Sequence, residues 1–313
     1  MTRRGGAVYT RPQPSGERAI PLKNLRAVLG ERLIADGAMG TELLALGLGG
    51  DCPEAWNVEK PEAVEGIHRG YVEAGARVLL TNSFGATEWK LGRSGRAQDA
   101  ERFCRAAAEN ALRAAESAGG REPVYVLGDV GPTGELPEPC GARSLAEFEP
   151  VFEAQVRALV AGGVDGILVE TMSSAAEATA AVRAARSACG GPVFASMTYS
   201  AGRTGYRTMM GETVAEATAA LLEAGADVVG SNCGLGAEPM AEVIREVRAV
   251  TGGPVLAKPN AGAARLVGGK TVFDECPETW AAGMAGVLRA GANIVGGCCG
   301  TTPGHIARLR TLG

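Results

Sequence analysis

The 313-residue chain is short of histidine, of surplus charge and of long apolar stretches, and each shortage narrows what it can be. Its only histidines, His68 and His305, both fall inside helical patterns, so neither is expected to hold a metal. Lysine and arginine number 31 against 35 acidic residues, a net charge of -4. That balance gives no electrostatic footprint for nucleic acid or an anionic membrane. No run reaches the ~18 consecutive apolar residues of a membrane-spanning helix. No apolar run follows Arg3 and Arg4, so the pair does not read as a secretion signal. A soluble, cytoplasmic protein is the expectation. A phosphate-cradling G-x-G-x-x-G is also missing after the first apolar run, which continues instead as DGAMGTEL. Its absence argues against an open, doubly wound nucleotide-binding sheet.

What the sequence does contain is a repeating rhythm. Apolar residues make up 46% of it, enough for a large core. Short β-rich runs end in Gly, Asn, Cys or an acidic residue, and a longer Ala/Glu/Arg stretch follows each one. The runs are LIADGA (33–38), VLLTNS (78–83), VYVLGDV (124–130), GILVETM (166–172), VFASMTY (193–199), DVVGSNC (227–233), VLAKPNA (255–261) and NIVGGCC (293–299). Between them lie helical patterns, four of which close on AGA or AGG just before the next run, a common helix stop. Apolar runs alternating with helices specify a parallel sheet covered on the outside by its crossovers. Eight repeats close into a (β/α)8 TIM barrel, an α/β fold that forms a single domain at roughly 250 residues. The barrel is placed at residues 23–313, with Lys23 to Gly30 as a short helix leading into it. Residues 1–22, with Gly5, Gly6, Pro12 and Pro14, read as a flexible N-terminal arm.

Active sites of this fold lie at the carboxyl ends of the strands. Those ends carry Asp36, Asn82, Asp129, Glu170, Tyr199, Asn232 with Cys233, Asn260, and Cys298 with Cys299. The eight cysteines are expected to be thiols, and three of them gather on this face. Adjacent residues of a regular strand point to opposite faces, so Cys298 and Cys299 converge only if the backbone turns. Gly296, Gly297 and Gly300 permit that turn. Three thiolates without a fourth protein ligand describe a catalytic zinc site with a replaceable position. A substrate thiol bound there would lose its proton at neutral pH and become a nucleophile. Two alternatives stand beside this reading. The cysteines are ordinary core thiols, or VGGCCGT is a phosphate-binding loop of the kind that follows strands 7 and 8 in other barrels.

DGAMGTEL (36–43), NC (232–233) and GGCCGTTP (296–303) together resemble the homocysteine S-methyltransferase family, and the likeness runs from about residue 25 to 313. The resemblance implies that Cys233, Cys298 and Cys299 ligate zinc, and that homocysteine is methylated to methionine. It also implies that Asp36 and Glu170 serve the amino group of homocysteine, as charge-assisted hydrogen bonding requires. The amides of Gly37 and Ala38 are suited to its carboxylate. By residue type alone, Asp36 could instead cap a helix and Glu170 could favour a helix start. Asn232 either orients the site or satisfies backbone groups, while Thr81 and Asn82 line the pocket. GPTG within DVGPTGEL (129–136) shapes a rim turn. Lys258, in KPNAG (258–262), is expected to be solvated, the alternative being that it balances charge near the zinc.

GGCCGTTP, GPTG and PNAG look closer to the homocysteine-binding barrel of cobalamin-dependent methionine synthase than to the S-methylmethionine enzymes. Since one barrel accounts for the sequence, methylcobalamin is expected on a separate corrinoid protein. S-methylmethionine is the alternative donor. A non-catalytic metal-binding or corrinoid-assembly subunit is the rival from another class, and Asp36 with Glu170 argues against it.

Overall fold

The computed structural model describes residues 24–117, 122–268 and 270–312, so the arm expected over residues 1–22 lies outside the described residues. All eight expected runs form strands: Leu33–Ile34 (β1), Val78–Leu80 (β2), Tyr125–Val130 (β3), Gly166–Met172 (β4), Val193–Met197 (β5), Val228–Asn232 (β6), Val255–Lys258 (β7) and Ile294–Val295 (β8). They pair in parallel in the order β1-β8-β7-β6-β5-β4-β3-β2. A parallel bridge between Ala35 and Val78 joins the two ends, and the sheet becomes a barrel.

Helices Pro61–Ala74, Ala100–Ser117, Phe148–Ala161, Ala175–Ala188, Val214–Ala224, Ala237–Val250 and Pro277–Arg289 link successive strands, and Pro303–Leu309 follows the last. Their stops are chemical. Helices Pro61–Ala74 and Val214–Ala224 end on Gly75 and Gly225, whose φ values of 107° and 105° suit glycine and turn the chain toward the next strand. Thr213 starts the latter helix by accepting from the Glu216 amide, and the Glu216 carboxylate returns the bond to Thr213. No helix among the described residues is long and apolar enough to cross a membrane.

Period-two alternation sorts the strand residues into two cores. Leu79, Val126, Ile167, Val169, Ala195, Val229 and Ala257 face outward and pack under the helices. Leu33, Val78, Tyr125, Leu127, Leu168, Phe194, Val228, Leu256 and Ile294 fill the lower lumen. The floor is closed by the short helical turn Leu25–Val28, with Leu25 and Leu29 packed into that inner core. Arg26 spans the floor to Asp227 and the Gly191 carbonyl, while Asn293 holds the Leu29 carbonyl.

Two features depart from the sequence reading. Small antiparallel hairpins, Ser200–Gly202 with Gly205–Arg207 and Arg265–Val267 with Lys270–Val272, follow β5 and β7. β8 is only two residues long, so Cys298 and Cys299 lie in the loop beyond it rather than at its end.

Candidate metal centre and substrate pocket

The inward alternation continues upward from the apolar lumen. Two residues past Leu127, Leu168, Phe194 and Leu256 stand Asp129, Glu170, Ser196 and Lys258. The interior therefore changes from hydrocarbon to polar groups within one inward step along these four strands. Above this change lies a cavity of about 400 Å³, whose lining includes Asp36, Asp129, Glu170, Lys258 and all three candidate cysteines.

The sulfurs of Cys233, Cys298 and Cys299 lie within 4.8 Å of one another. Among the described residues they are the one cluster with metal-ligand geometry. Cys233 follows β6 with φ 58°, and Thr171 in β4 has φ 57°. These are the only non-glycine residues in the left-handed region among the described residues. Such backbone costs roughly 1–3 kcal/mol and gathers at functional sites. The loop beyond β8 is pinned from three sides: Gly297 N–H donates to the Asp36 carbonyl, Cys298 N–H to the Pro259 carbonyl, and Ala261 N–H to the Cys299 carbonyl. A Cβ on Gly297 would stand 2.3 Å from Thr301 Oγ1, so only glycine lets the loop close this tightly. The turn expected from the glycines is present and brings both sulfurs toward Cys233.

Zinc–sulfur bonds of about 2.3 Å at tetrahedral angles place two sulfurs ~3.8 Å apart. Cys233 and Cys299 are separated by 3.9 Å, so the donor set fits zinc. Hydrogen bonds from Cys298 and Cys299 pull the Cys233 thiol down to about 3. The bond to Cys233 pushes Cys298 up to about 12, and Cys299 is raised as well by its bonded neighbours. Asn232 stands behind the three sulfurs with both ends of its amide engaged. Oδ1 accepts from Thr171 N–H at 2.8 Å and Ser196 Oγ at 2.7 Å. Nδ2 donates to Thr171 Oγ1 at 2.6 Å and lies 3.8 Å from Cys298 Sγ. Asn232 thus both satisfies backbone and faces a candidate ligand.

Lys258 corrects an expectation, being only 2% exposed rather than solvated. Its Nζ is 3.2 Å from Asp36 Oδ1 and 3.7 Å from Glu170 Oε2. Inward alternation from Leu256 buries it, and carboxylates from two distant strands make that burial tolerable. Burial lowers the affinity of Lys258 for its proton, but Asp36 and Glu170 outweigh burial and raise it. Asp36 also accepts from Leu80 N–H at 2.7 Å through Oδ2. It caps no helix, since Met39 occupies the N-cap of Gly40–Ala45. Burial raises Glu170 to about 7 against the opposing pull of Lys258. Asp129 is raised well above the carboxylate range by burial first and the neighbouring Glu170 second.

Other expected residues line the cavity with their polar groups already engaged. Ala38 N–H donates to Thr301 Oγ1 at 3.2 Å, so one of the two amides expected to receive a carboxylate is occupied. Thr81 Oγ1 contacts Ser83 Oγ and accepts from Asp129 N–H. Asn82 Nδ2 donates to the Pro53 carbonyl. The GPTG turn meets the rim where Gly131 abuts the Phe84 ring, and Thr133 is held by Glu177. His68 is buried in helix Pro61–Ala74 with no hydrogen-bond partner among the described residues, and burial lowers it to about 4. His305 bonds Thr302 and the Glu275 carbonyl, so neither histidine joins the cysteines. All eight cysteines are free thiols. Residue-by-residue reading missed the buried position of Lys258 and gave Asp129 no site role. The signal for both was alternation counted upward from the apolar lumen.

Comparison with known proteins agrees with this geometry. The family described as homocysteine S-methyltransferase matches residues 33–312. A methionine synthase of Mycobacterium tuberculosis is 34% identical over 301 residues, covering 91% of this chain and 25% of that protein. A methionine synthase of Mycobacterium leprae is 33% identical over 292 residues, covering 88% and 24%. The chain therefore spans about a quarter of the length of these curated relatives. The metallated form of the homocysteine methyltransferase MmuM from Escherichia coli superposes with a TM-score of 0.76 at 26% identity, over 92% of this chain and 99% of that one. Its oxidized form gives a TM-score of 0.77 at the same identity.

Proposed function

Because the chain belongs to the homocysteine S-methyltransferase family, we propose that it methylates the sulfur of homocysteine to give methionine. The observation that carries this reading is the meeting of three cysteine sulfurs, one just past β6 and two in the loop beyond β8, over a cavity floored by carboxylates. Cys233, Cys298 and Cys299 would hold zinc, which supplies Lewis acidity that lets a substrate thiol react as its thiolate at neutral pH. The protein's own groups do the rest. Asn232 sets the position of Cys298 and of the strained Thr171 backbone. The acidic base of the cavity, where Asp36 and Glu170 lie, is the seat of the amino group, and the amide of Gly37 faces the carboxylate end. Thr81 and Asn82 hold the wall between them. Held this way, the acceptor sulfur faces the cavity mouth, in line for a methyl group arriving from outside.

The proposed donor is methylcobalamin presented by a corrinoid protein. Identity of 34% to a methionine synthase, against 26% to the E. coli enzyme, supports this branch. S-methylmethionine is the alternative. The test supplies zinc-loaded protein with homocysteine and, separately, methylcobalamin, S-methylmethionine or betaine, and measures methionine. Production with methylcobalamin is expected. Silence with every donor would sink the proposal, and zinc retention without homocysteine binding would favour a non-catalytic metal-binding subunit.

A further inference from the structure

The seam between β1 and β8 is the shortest in the barrel. Each strand is two residues long, and they pair through Leu33 with Ile294 and Ile34 with Val295. The ladder runs out where the two following loops begin to line the cavity, with Asp36, Gly37 and Ala38 on one side and Gly297, Cys298 and Cys299 on the other. One backbone bond follows, from Gly297 N–H to the Asp36 carbonyl at 2.9 Å. Beyond it, side chains take over. Gly300 N–H donates to Thr41 Oγ1 at 3.2 Å, and two buried hydroxyls, of Thr301 and Tyr71, bridge the loops.

Thr301 Oγ1 accepts from Ala38 N–H at 3.2 Å and donates to the Cys298 carbonyl at 2.7 Å. One hydroxyl thus relays a hydrogen bond from a cavity-lining amide to the carbonyl of a candidate metal ligand. Tyr71 reaches the same place from helix Pro61–Ala74. Its Oη is 2.7 Å from the Ala38 carbonyl and 3.1 Å from the Thr301 carbonyl. A phenol has one proton to donate, so one carbonyl from each loop competes for it. Burial raises the Tyr71 phenol well above its ordinary range, which keeps it a donor. The clasp has no slack: a Cβ on Gly37 would stand 2.8 Å from both Thr301 Oγ1 and the Tyr71 hydroxyl. A shift of the chain at Ala38 therefore moves Thr301, and with it the support of Cys298.

We propose that Thr301 and Tyr71 are positioning residues that tie the acceptor-lining loop to the metal loop, so that an amino acid seated against residues 36–38 and zinc at the cysteines bind cooperatively. This rests on the reading of the acceptor as an amino-acid thiol and of the three cysteines as zinc ligands. The coupling is separate from any bond between the acceptor sulfur and the metal. It passes through the protein, and by linkage each ligand tightens the other by the same factor.

The probe is norvaline, which has a methyl group where homocysteine has its thiol and so cannot ligate the metal through sulfur. Zinc affinity of the full-length protein is measured by chelator competition with and without saturating norvaline, and norvaline binding is followed by titration calorimetry on the zinc-loaded protein. In the unaltered protein norvaline is expected to tighten zinc by ~5-fold or more, the lower end of typical couplings between sites. Thr301→Val keeps the shape without the hydroxyl, and Tyr71→Phe removes only the phenol oxygen. Each should abolish the tightening. Thr301→Ser, which keeps the hydroxyl, should retain it. Any loosening of the loop would weaken zinc binding equally with and without norvaline, so the ratio decides. A ratio that survives both Thr301→Val and Tyr71→Phe, or that is absent from unaltered protein with norvaline bound, overturns the inference. No norvaline binding at all would overturn the amino-acid reading and the inference with it. Coupling without any methyl transfer would leave the inference standing and remove the proposed function.

Discussion

The lower and upper halves of the barrel interior are built from the same strands and the same alternation, yet they hold opposite chemistry. Below, Leu127, Leu168, Phe194 and Leu256 pack into a dry layer. One inward step higher, the same four strands present Asp129, Glu170, Ser196 and Lys258. The lower half gains stability from burying hydrocarbon. The upper half buries charge and left-handed backbone, both of which oppose stability, and gains a site that can bind and react. Closing the barrel is thus separable from equipping it.

The sharpest way to break that comparison is to remove a candidate ligand. Cys299→Ala should lose zinc and all methyl transfer while keeping the thermal unfolding transition of a folded barrel, as metal analysis, methionine assay and circular dichroism would show. Persistent activity would refute the metal role. Lys258→Met strands two buried carboxylates, and should cost about 3–5 kcal/mol in urea denaturation. A stability within error of the unaltered protein would mean that the upper half is not held by this ion pair. Leu168→Ala tests the lower half. It should cost ~2–5 kcal/mol, yet leave zinc content unchanged. Zinc loss in that variant would show the two halves to be one cooperative unit. The smallest effect is expected from Asn232→Ala, which removes an amide facing Cys298 and should weaken zinc affinity by ~10–100-fold, read by chelator competition.

Much of this was legible in the sequence because each strand–helix unit carries its own signal. The runs from LIADGA to NIVGGCC could be counted without knowing what lay across the barrel, and their ends placed the cysteines, Asp36 and Glu170 on one face. Lys258 was not legible in the same way. Beside Pro259 and Asn260 it looks like a turn lysine, and what buries it are carboxylates from the ends of β1 and β4. Asp129 offered a signal that was not used, an acid on the inward face of a wholly buried strand. The left-handed backbone at Thr171 and Cys233 had no local sign, since neither is a residue type that favours it. The hairpins after β5 and β7 are too short to show a period against their glycine-containing turns.

The closed floor beneath the cavity has a consequence for the order of events. Among the described residues, Leu25 and Leu29 fill the lower lumen, and the cavity lies at the carboxyl ends of the strands. If the proposed corrinoid donor docks over that opening, an acceptor seated beside Lys258 enters before it and the product leaves after it withdraws. On the proposed reaction, a chamber open at one end would make a queue of its two substrates, with the acceptor first in and its product last out.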